Sequence, residues 1–500
     1  MPPHAAYLFK HALVRDAAYG TLLREPRRAL HARIAETLET HFTEVENQPE
    51  ILARHCTEAG LIEKAANLWG KAGQRSLARS ALIEAAEQLT RALDQIGTLP
   101  GTPTLRREQI KLQVALITPL IHVKGYTAPE TKAAVEQARL LIDRAEALGE
   151  RLDESLTLFS VLYGIWVAHL GAYNGSTLRE LATQFLVLAE KQNATAPLMI
   201  GHRVMAVTLL CTGKIAEART HYDQALALYS PVEHRQLATR FGQDVAVAAL
   251  AYRSLALWML GYPTAALADA KQTISKAREI GQAATLLYAF TVAGITLAFC
   301  GDYSSAKALL DEVLPLAEDK GTPWWKAFAM MEQGWLLTLT GKASEGAPLT
   351  ASGITLWRAL GSTYWLPTFL SSLAMAYAEL KQFDTAWCCL SEAMAAIERT
   401  GETWFEVDVY RIAGEIARQS PNHAMAKAET YFEHALAVAR QQQAKSWELR
   451  AAMSMARLWH DQGKVRQARE LLVPVYGWFT EGFDTRDLKE AKALLEHLAR

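Results

Sequence analysis

Apolar and small residues recur along this chain with the spacing of an α-helix, and the same arrangement returns after a series of glycine turns. In each segment a turn glycine stands five residues before a small residue, and mostly apolar or small residues follow four and seven positions later. The segments are GKIAEA (213–218), GYPTAA (261–266), GDYSSA (301–306), GKASEG (341–346) and GKVRQA (463–468). This spacing predicts one apolar face on a helix after each turn. Nowhere does a period-two pattern indicate a strand.

These segments belong to a repeat of about 40 residues. The glycines at 281, 321, 361 and 401 follow one another at intervals of 40. Two series of small residues keep the same register, one in each first helix and one in each second helix. They are Gly294, Gly334, Ala374, Gly414 and Ala456, and Ala306, Gly346, Ala386, Ala428 and Ala468. Antiparallel helices approach closely only where side chains are small. We therefore predict that these residues lie buried at helix crossings.

The order of small, bulky and small residues around each turn is similar to the tetratricopeptide pattern, whose usual period is about 34 residues. About six extra residues add less than one turn to each helix of a hairpin. The sequence therefore predicts an all-α fold. In it, tetratricopeptide-like helical hairpins with repeats of about 40 residues stack into a right-handed superhelical solenoid.

The regularity of this pattern changes along the chain and indicates four regions. For residues 1–48 the pattern predicts arginine-rich helices, and for residues 49–230 it predicts irregular tetratricopeptide-like hairpins. The regular array covers residues 231–483. Residues 484–500 predict a capping helix with one apolar and one charged face, which the end of a solenoid requires.

Aromatic residues open the first helix of several repeats. They form the candidate partner groove, which consists of Trp324, Trp325, Tyr364, Trp365, Trp404, Phe405 and Trp447. Consecutive side chains on a helix point about 100° apart. We therefore expect one member of each adjacent pair to pack between repeats and the other to be partly exposed, available to an apolar peptide. The alternative is that all of them pack between repeats.

Composition and charge favour a large folded protein without a general attraction to nucleic acid. Half of the 500 residues are hydrophobic, and 52 Lys and Arg nearly balance 53 Asp and Glu. The five cysteines are scattered and odd in number, which argues against a disulfide scaffold and favours the cytoplasm.

Two stretches without Asp, Glu, Lys or Arg, at 155–178 and 280–301, are long enough to raise the question of a membrane span. Both contain polar residues, and the second lies inside the repeat array. We interpret them as helices buried on all sides by other helices, and we expect no membrane partner.

The sequence contains none of the motifs that would indicate catalysis or a bound cofactor. It has no phosphate-binding loop and no HExxH, CxxC or G-x-S-x-G pattern. Cys388 and Cys389 are adjacent, and their side chains would point about 100° apart on a helix, which is poor geometry for joint metal ligation. We therefore predict no catalytic residue, no cofactor and no metal site.

Arginines concentrate at one place near the N-terminus, in a cluster that consists of Arg24, Arg27, Arg28 and Arg33. A nucleic-acid-binding surface needs a broader basic patch, so we expect no nucleic-acid partner. We interpret this cluster as a helix face that docks against another domain.

Three segments carry a resemblance to a known family. YLFKHALVRDAAYGTLLREPRRALHARIAETLE (7–39), FGQDVAVAALAYRSLALWMLGYPTAAL (241–267) and LLVPVYGWFTEGFDTRDLKEAKALLEHL (471–498) resemble parts of large bacterial signalling proteins. In those proteins a class III nucleotide-cyclase domain and an AAA/STAND-type ATPase precede a long tetratricopeptide region. The resemblance implies that residues 1–48 are a winged-helix-like remnant that follows an absent ATPase domain. The three similar segments include no nucleotide-binding segment of that family. No catalytic or ATP-binding residue of the family can therefore be assigned to this sequence.

Together these observations favour a non-catalytic cytoplasmic scaffold. We expect a protein or peptide partner, and the resemblance suggests a cyclase or ATPase module in the same chain or in a separate one. Two other hypotheses stay open. The first is that the chain is part of an adenylate cyclase or another ATP-binding enzyme, and the second is that it is the sensor arm of a transcription regulator.

Overall fold

A computed structural model of the chain describes residues 19, 21, 23–41, 48–150, 156–420 and 425–499. All regular secondary structure in these ranges is helical, which confirms the predicted fold class. The helices are α1 (Arg24–His41), α2 (Pro49–Ala59), α3 (Ile62–Ala78), α4 (Leu82–Ile96), α5 (Pro103–Lys124), α6 (Pro129–Ala147), α7 (Leu156–Gly171), α8 (Gly175–Gln192), α9 (Thr195–Cys211), α10 (Ile215–Ala227), α11 (Pro231–His234), α12 (Ala238–Phe241), α13 (Val245–Met259), α14 (Pro263–Ile280), α15 (Ala283–Phe299), α16 (Tyr303–Asp319), α17 (Pro323–Leu339), α18 (Ala343–Ala359), α19 (Leu366–Glu379), α20 (Phe383–Thr400), α21 (Glu406–Gln419), α22 (Met425–Gln441), α23 (Lys445–Asp461), α24 (Val465–Gly477) and α25 (Arg486–His497).

Small residues lie where the paired helices cross, as the repeat register predicts. Gly334, Ala374 and Gly414 are all buried. A Cβ atom added to Gly334 in α17 would lie 2.2 Å from Thr350 Oγ1 and 2.7 Å from the carbonyl oxygen of Gly346 in α18. The backbones of these two helices therefore touch, which only glycine allows at this place.

The first helices of successive hairpins form the inner layer of the array. In order, α13, α15, α17, α19, α21 and α23 contact one another, and the second helices α14, α16, α18, α20, α22 and α24 pack on their outer side. In α15 every residue except Leu286 is buried. This burial explains the uncharged stretch at 280–301. In the part of the chain that the structure describes, no helix is long and apolar enough to cross a membrane.

Successive turns of the superhelix contact each other directly. The backbone N–H groups of Thr363 and Thr403 donate to the carbonyl oxygens of Gly171 and Cys211, which precede them by 192 residues. Similar long-range hydrogen bonds join Trp325 to His122 and Ser446 to Trp258, 203 and 188 residues apart. About five repeats of 40 residues therefore complete one superhelical turn, and the next turn packs against it.

The four predicted regions stay a prediction. Residues 1–18 and 42–47 lie outside the described residues, and with them lies much of the segment whose winged-helix-like character the resemblance implies. At the other end, α25 occupies part of the predicted capping segment and buries Leu488 and Ala491.

Candidate partner-binding site

The predicted exposure of the aromatic residues is wrong. At most 3% of the surface of any of them is exposed. This holds for Trp324, Trp325, Tyr364, Trp365, Trp404, Phe405 and Trp447 alike. They form part of the core, as the alternative interpretation proposed, and none of them presents an exposed ring.

The cause of this burial is the contact between superhelical turns. Tyr126 stacks on Trp324 with ring centroids 4.4 Å apart. One repeat later Tyr173 stacks on Tyr364 at 5.7 Å. A residue at the start of a first helix would be accessible at the edge of a single hairpin. Here an aromatic residue from the preceding superhelical turn covers it.

The arginine cluster lies on α1, and its members differ in their surroundings. Arg27 lies over the ring of Tyr19 at 4.6 Å. Arg28 forms a 3.5 Å ion pair with Glu25 and also lies beside Gly60. The other two members, Arg24 and Arg33, are exposed. Docking of this face against another domain stays a prediction.

A cavity of about 250 Å³ opens on the inner face of the array. Helices α15, α17, α19, α21 and α23 form its walls, and α25 closes one end. Its floor is aromatic and consists of Phe299, Trp335, Trp365, Phe369 and Phe405. Two residues of the aromatic series, Trp365 and Phe405, therefore contribute to a cavity although they are themselves buried. We call this space the concave cavity.

Charged side chains surround this aromatic floor. Four arginines and three carboxylates line the concave cavity, namely Arg411, Arg450, Arg457, Arg486, Asp408, Asp487 and Glu490. Each of these carboxylates forms an ion pair with an arginine. The N···O distances are 2.7 Å for Arg411–Asp408, 2.8 Å for Arg450–Asp487, 2.6 Å for Arg486–Glu490 and 3.4 Å for Arg457–Glu490. The rim therefore carries one positive charge in excess.

Arg450 is held in place by aromatic rings. Its guanidinium carbon lies 4.7 Å from the ring centroid of Trp258 and 5.3 Å from that of Trp447. The same group donates to the carbonyl oxygen of Phe299 at 3.0 Å. Such stacking and hydrogen bonding fix the guanidinium and its partner Asp487 at the edge of the cavity.

Two hydroxyl groups on the cavity face of α19 complete the polar lining. Thr368 and Ser372 are one helical turn apart, and their hydroxyl groups have no hydrogen-bond partner among the residues described here. A buried hydroxyl group without a partner is available to a bound molecule, because a new hydrogen bond removes its desolvation cost.

Replacing Arg450 with methionine tests this rim. We expect R450M to lower the free energy of unfolding by about 1–2 kcal/mol, because it leaves the largely buried Asp487 carboxylate without its partner. Equilibrium urea unfolding measures the change. The double variant R450M/D487N removes both charges and should recover most of the loss. A double variant that is less stable than R450M would contradict the ion pair.

The next question is whether the described residues include a metal-binding cluster or a reactive thiol group. Across the described ranges, no group of three or more His, Cys, Asp or Glu side chains could hold a metal ion. Cys388 is exposed, whereas burial raises the pKa of the Cys389 thiol to about 11. A thiol with such a pKa is a poor nucleophile at neutral pH.

Several buried charged residues escaped the sequence analysis. Arg203, Glu332 and Glu402 are at most 2% exposed. Both carboxylate oxygens of Glu332 lack a partner among the described residues, and burial raises its pKa well above the ordinary value. Burial also raises the pKa of Glu402 to about 8, although Trp404 Nε1 and the backbone N–H of Trp365 donate to it. For Arg203 and Glu332 the available signal was a charged residue within a mostly apolar helix.

The fold is a helical-repeat solenoid of tetratricopeptide-like hairpins. No family model matches the chain. Over 423 residues it is 25% identical to an uncharacterized protein of Rhizobium meliloti (strain 1021). The match covers 82% of this chain and 39% of the relative, so the chain spans about two fifths of that protein's length.

Solved structures share the fold at low identity. A Rap protein complexed with Competence and Sporulation Factor has a TM-score of 0.53 and 12% identity, over 77% of this chain and 99% of that chain. A STAND protein with a tetratricopeptide repeat sensor from Pyrococcus horikoshii has a TM-score of 0.37 and 12% identity, over 83% of this chain and 55% of that one. The likeness to the Rap protein shows the fold alone, and the score of the second protein is too low to indicate a relationship.

Proposed function

We propose that this chain is a non-catalytic, cytoplasmic scaffold that binds a segment of a partner protein in the concave cavity. The observation that carries the proposal is the cavity itself, with its aromatic floor and charged rim on the inner layer of helices. Large aromatic residues in a desolvated pocket are where binding energy concentrates in protein interfaces. Polar groups around such a pocket fix the orientation of the bound segment.

The chemistry of the cavity indicates which segment it would accept. An apolar side chain would contact Phe299, Trp335 and Phe369 on the floor. The four rim arginines outnumber the three rim carboxylates. A partner segment with an acidic residue next to its apolar anchor therefore complements the rim better than a basic one.

The partner we propose is a cyclase or ATPase module, in the same chain or in a separate one. Two observations support this. The segments at 7–39, 241–267 and 471–498 resemble signalling proteins in which such modules precede the repeats. The relative from Rhizobium meliloti is also much longer than its match to this chain. The Rap protein was solved with a bound factor, and we propose that this chain binds its partner on the same kind of scaffold.

Filling the cavity tests this function. Met375 lines the concave cavity and is partly exposed, so tryptophan at this position should block it. We expect M375W to weaken binding of a purified cyclase or ATPase module of the resembled signalling proteins by at least about tenfold, because the anchor loses its site. Isothermal titration calorimetry measures the affinity, and the nucleotide turnover of the module reports regulation.

The matched control is M394W. Met394 is also partly buried, but it lies on the second helix α20 and does not line this cavity. M394W should therefore bind the module as the wild type does. Equal affinities for both variants would overturn the assignment of the cavity. Absence of any binding would overturn the link to a cyclase or ATPase, and ATP turnover by the chain alone would overturn the non-catalytic role.

A further inference from the structure

A second, smaller cavity contains an arginine that no carboxylate neutralises. Arg203 is the only Asp, Glu, Lys or Arg residue in α9, and only 2% of its surface is exposed. Its guanidinium lies 5.6 Å from the ring centroid of Tyr163 and 5.7 Å from that of Tyr288. Arginine keeps its charge in proteins under all ordinary conditions, so a full positive charge lies in the interior.

The hydrogen-bond partners of this guanidinium are all neutral. Nη1 donates to the hydroxyl of Tyr163 at 3.1 Å, and Nη2 donates to the hydroxyl of Tyr288 at 3.4 Å. The amide of Gln243 contributes its oxygen when its nitrogen faces the carbonyl of Phe241, the orientation that avoids a contact between two donors. Within the described part of the chain, Nε of Arg203 has no partner.

Comparable arginines in the described part of the chain differ from Arg203, because they have carboxylate partners. Arg106 pairs with Glu150, and Arg253 pairs with Asp269. The rim arginines Arg411 and Arg450 are paired as described above. An isolated charge in a protein interior is strongly unfavourable unless it is paired. Arg203 therefore lacks the one interaction that the fold supplies to comparable residues.

An internal cavity of about 20 Å³ adjoins the guanidinium. Space of this size admits a water molecule or one small ion and excludes larger anions. Its walls come from both superhelical turns. Arg203, Tyr163 and Tyr252 belong to the earlier turn, and Trp324 and Tyr364 belong to the later one.

We propose that this cavity binds one small monovalent anion of the chloride class, which neutralises Arg203. The anion would accept from Nε of Arg203, the donor that has no partner among the described residues. Because both superhelical turns line the cavity, the bound anion would stabilise the contact between them. This site is separate from the concave cavity and does not depend on the partner proposed there.

Stability measured at different chloride concentrations tests the proposal. Urea unfolding of the full chain is followed at constant ionic strength while sodium gluconate, whose anion is too large for the cavity, is exchanged for sodium chloride. A ligand that binds only the folded state stabilises it by mass action. Above the dissociation constant, tenfold more chloride should therefore raise the folding equilibrium constant nearly tenfold.

Two variants separate specific binding from a general salt effect. R203M removes the charge that holds the anion and should abolish the dependence on chloride. R253M removes an arginine that already has two carboxylate partners, Asp223 and Asp269, and should keep the dependence. A wild type that does not respond to chloride, or an equal response in R203M, would overturn the proposal.

Bromide gives a direct test that needs no variant. In crystals of the wild-type chain grown in sodium bromide, the anomalous difference map should show a peak within about 4 Å of the Arg203 guanidinium. An empty cavity in a crystal with bromide bound elsewhere would overturn the site.

Discussion

Leucine in place of Gly334 is expected to lower the free energy of unfolding by about 3 kcal/mol, because it overpacks a crossing where two backbones touch. Its Cβ atom would lie 2.2 Å from Thr350 Oγ1 and 2.7 Å from the backbone nitrogen of Thr350. It would also lie 2.7 Å from the carbonyl oxygen of Gly346. Backbone atoms cannot rotate away as a side chain can, so α17 and α18 must separate. Urea unfolding followed by circular dichroism measures the loss.

Gly477 provides the matched control. It is the last residue of α24, and no described atom lies within 4 Å of the position of an added Cβ. Alanine has a better helix propensity than glycine by about 1 kcal/mol, so G477A should be as stable as the wild type or slightly more stable. A G334L variant with wild-type stability would contradict the assigned crossing.

The repeat register could be predicted because it depends on contacts between neighbours in the chain. Gly334 and Gly346 lie on consecutive helices that a short turn connects, so their close approach appears as a local pattern of small residues. The same pattern then returns every 40 residues, which makes it easy to detect. Contacts of this kind follow from the geometry of a single hairpin.

The burial of the aromatic residues could not be predicted in the same way. Tyr364 is covered by Tyr173, almost five repeats earlier in the chain. Which residues meet at this distance depends on the small rotation from one repeat to the next, summed over a full superhelical turn. No local pattern reports that sum. The sequence therefore indicated that the aromatic positions were equivalent, but it could not indicate what covers them.

The lining of the concave cavity could be predicted from the sequence only in part. Part of this lining occupies equivalent positions in three repeats, six and three residues before the small residue of the first helix. These positions hold Thr368 and Ser371, Asp408 and Arg411, and Arg450 and Met453. The repetition was visible in the sequence. The pairing of Arg450 with Asp487 of the terminal helix was not, because it depends on where α25 packs.

Between pH 6.5 and pH 8 the folded chain is expected to lose about 2 kcal/mol of stability as the pH rises. The cause is the pair of buried carboxyl groups of Glu332 and Glu402. Burial raises the pKa of Glu402 from 4.5 to about 8. The carboxyl group of Glu332 has no partner among the described residues, and burial raises its pKa well above 4.5.

The sign follows from comparing the folded and unfolded chains. Below pH 4.5 these groups hold their protons in both states, so the stability they contribute is fully present. Above that pH the unfolded chain releases the protons while the folded chain keeps them. A carboxyl group that keeps its proton in the folded chain lowers stability by about 1.4 kcal/mol per pH unit. For Glu402, with a folded pKa of about 8, this amounts to about 2 kcal/mol over the window, and Glu332 acts in the same direction. The loss continues until the pH passes the folded pKa.

The buried histidine and thiol groups do not cause this decline. Burial lowers the pKa of His122 from 6.5 to about 4, so the destabilisation by His122 grows as the pH falls through 6.5 and fades as the pH rises across this window, opposite in sign to the effect of the carboxyl groups. Burial raises the pKa of the Cys300 thiol to about 12, well above the window. The decline between pH 6.5 and pH 8 is therefore assigned to the two carboxyl groups.

Glutamine substitutions test this assignment, because they keep the shape of each side chain and remove its titration. Urea unfolding at pH 6.5 and pH 8 should show a smaller loss for E402Q and for E332Q than for the wild type. The double variant should lose almost nothing. E345Q, which changes an exposed residue of α18, should keep the wild-type decline. A wild type of equal stability at both pH values, or a double variant with an undiminished decline, would show that these carboxyl groups do not hold their protons in the folded chain.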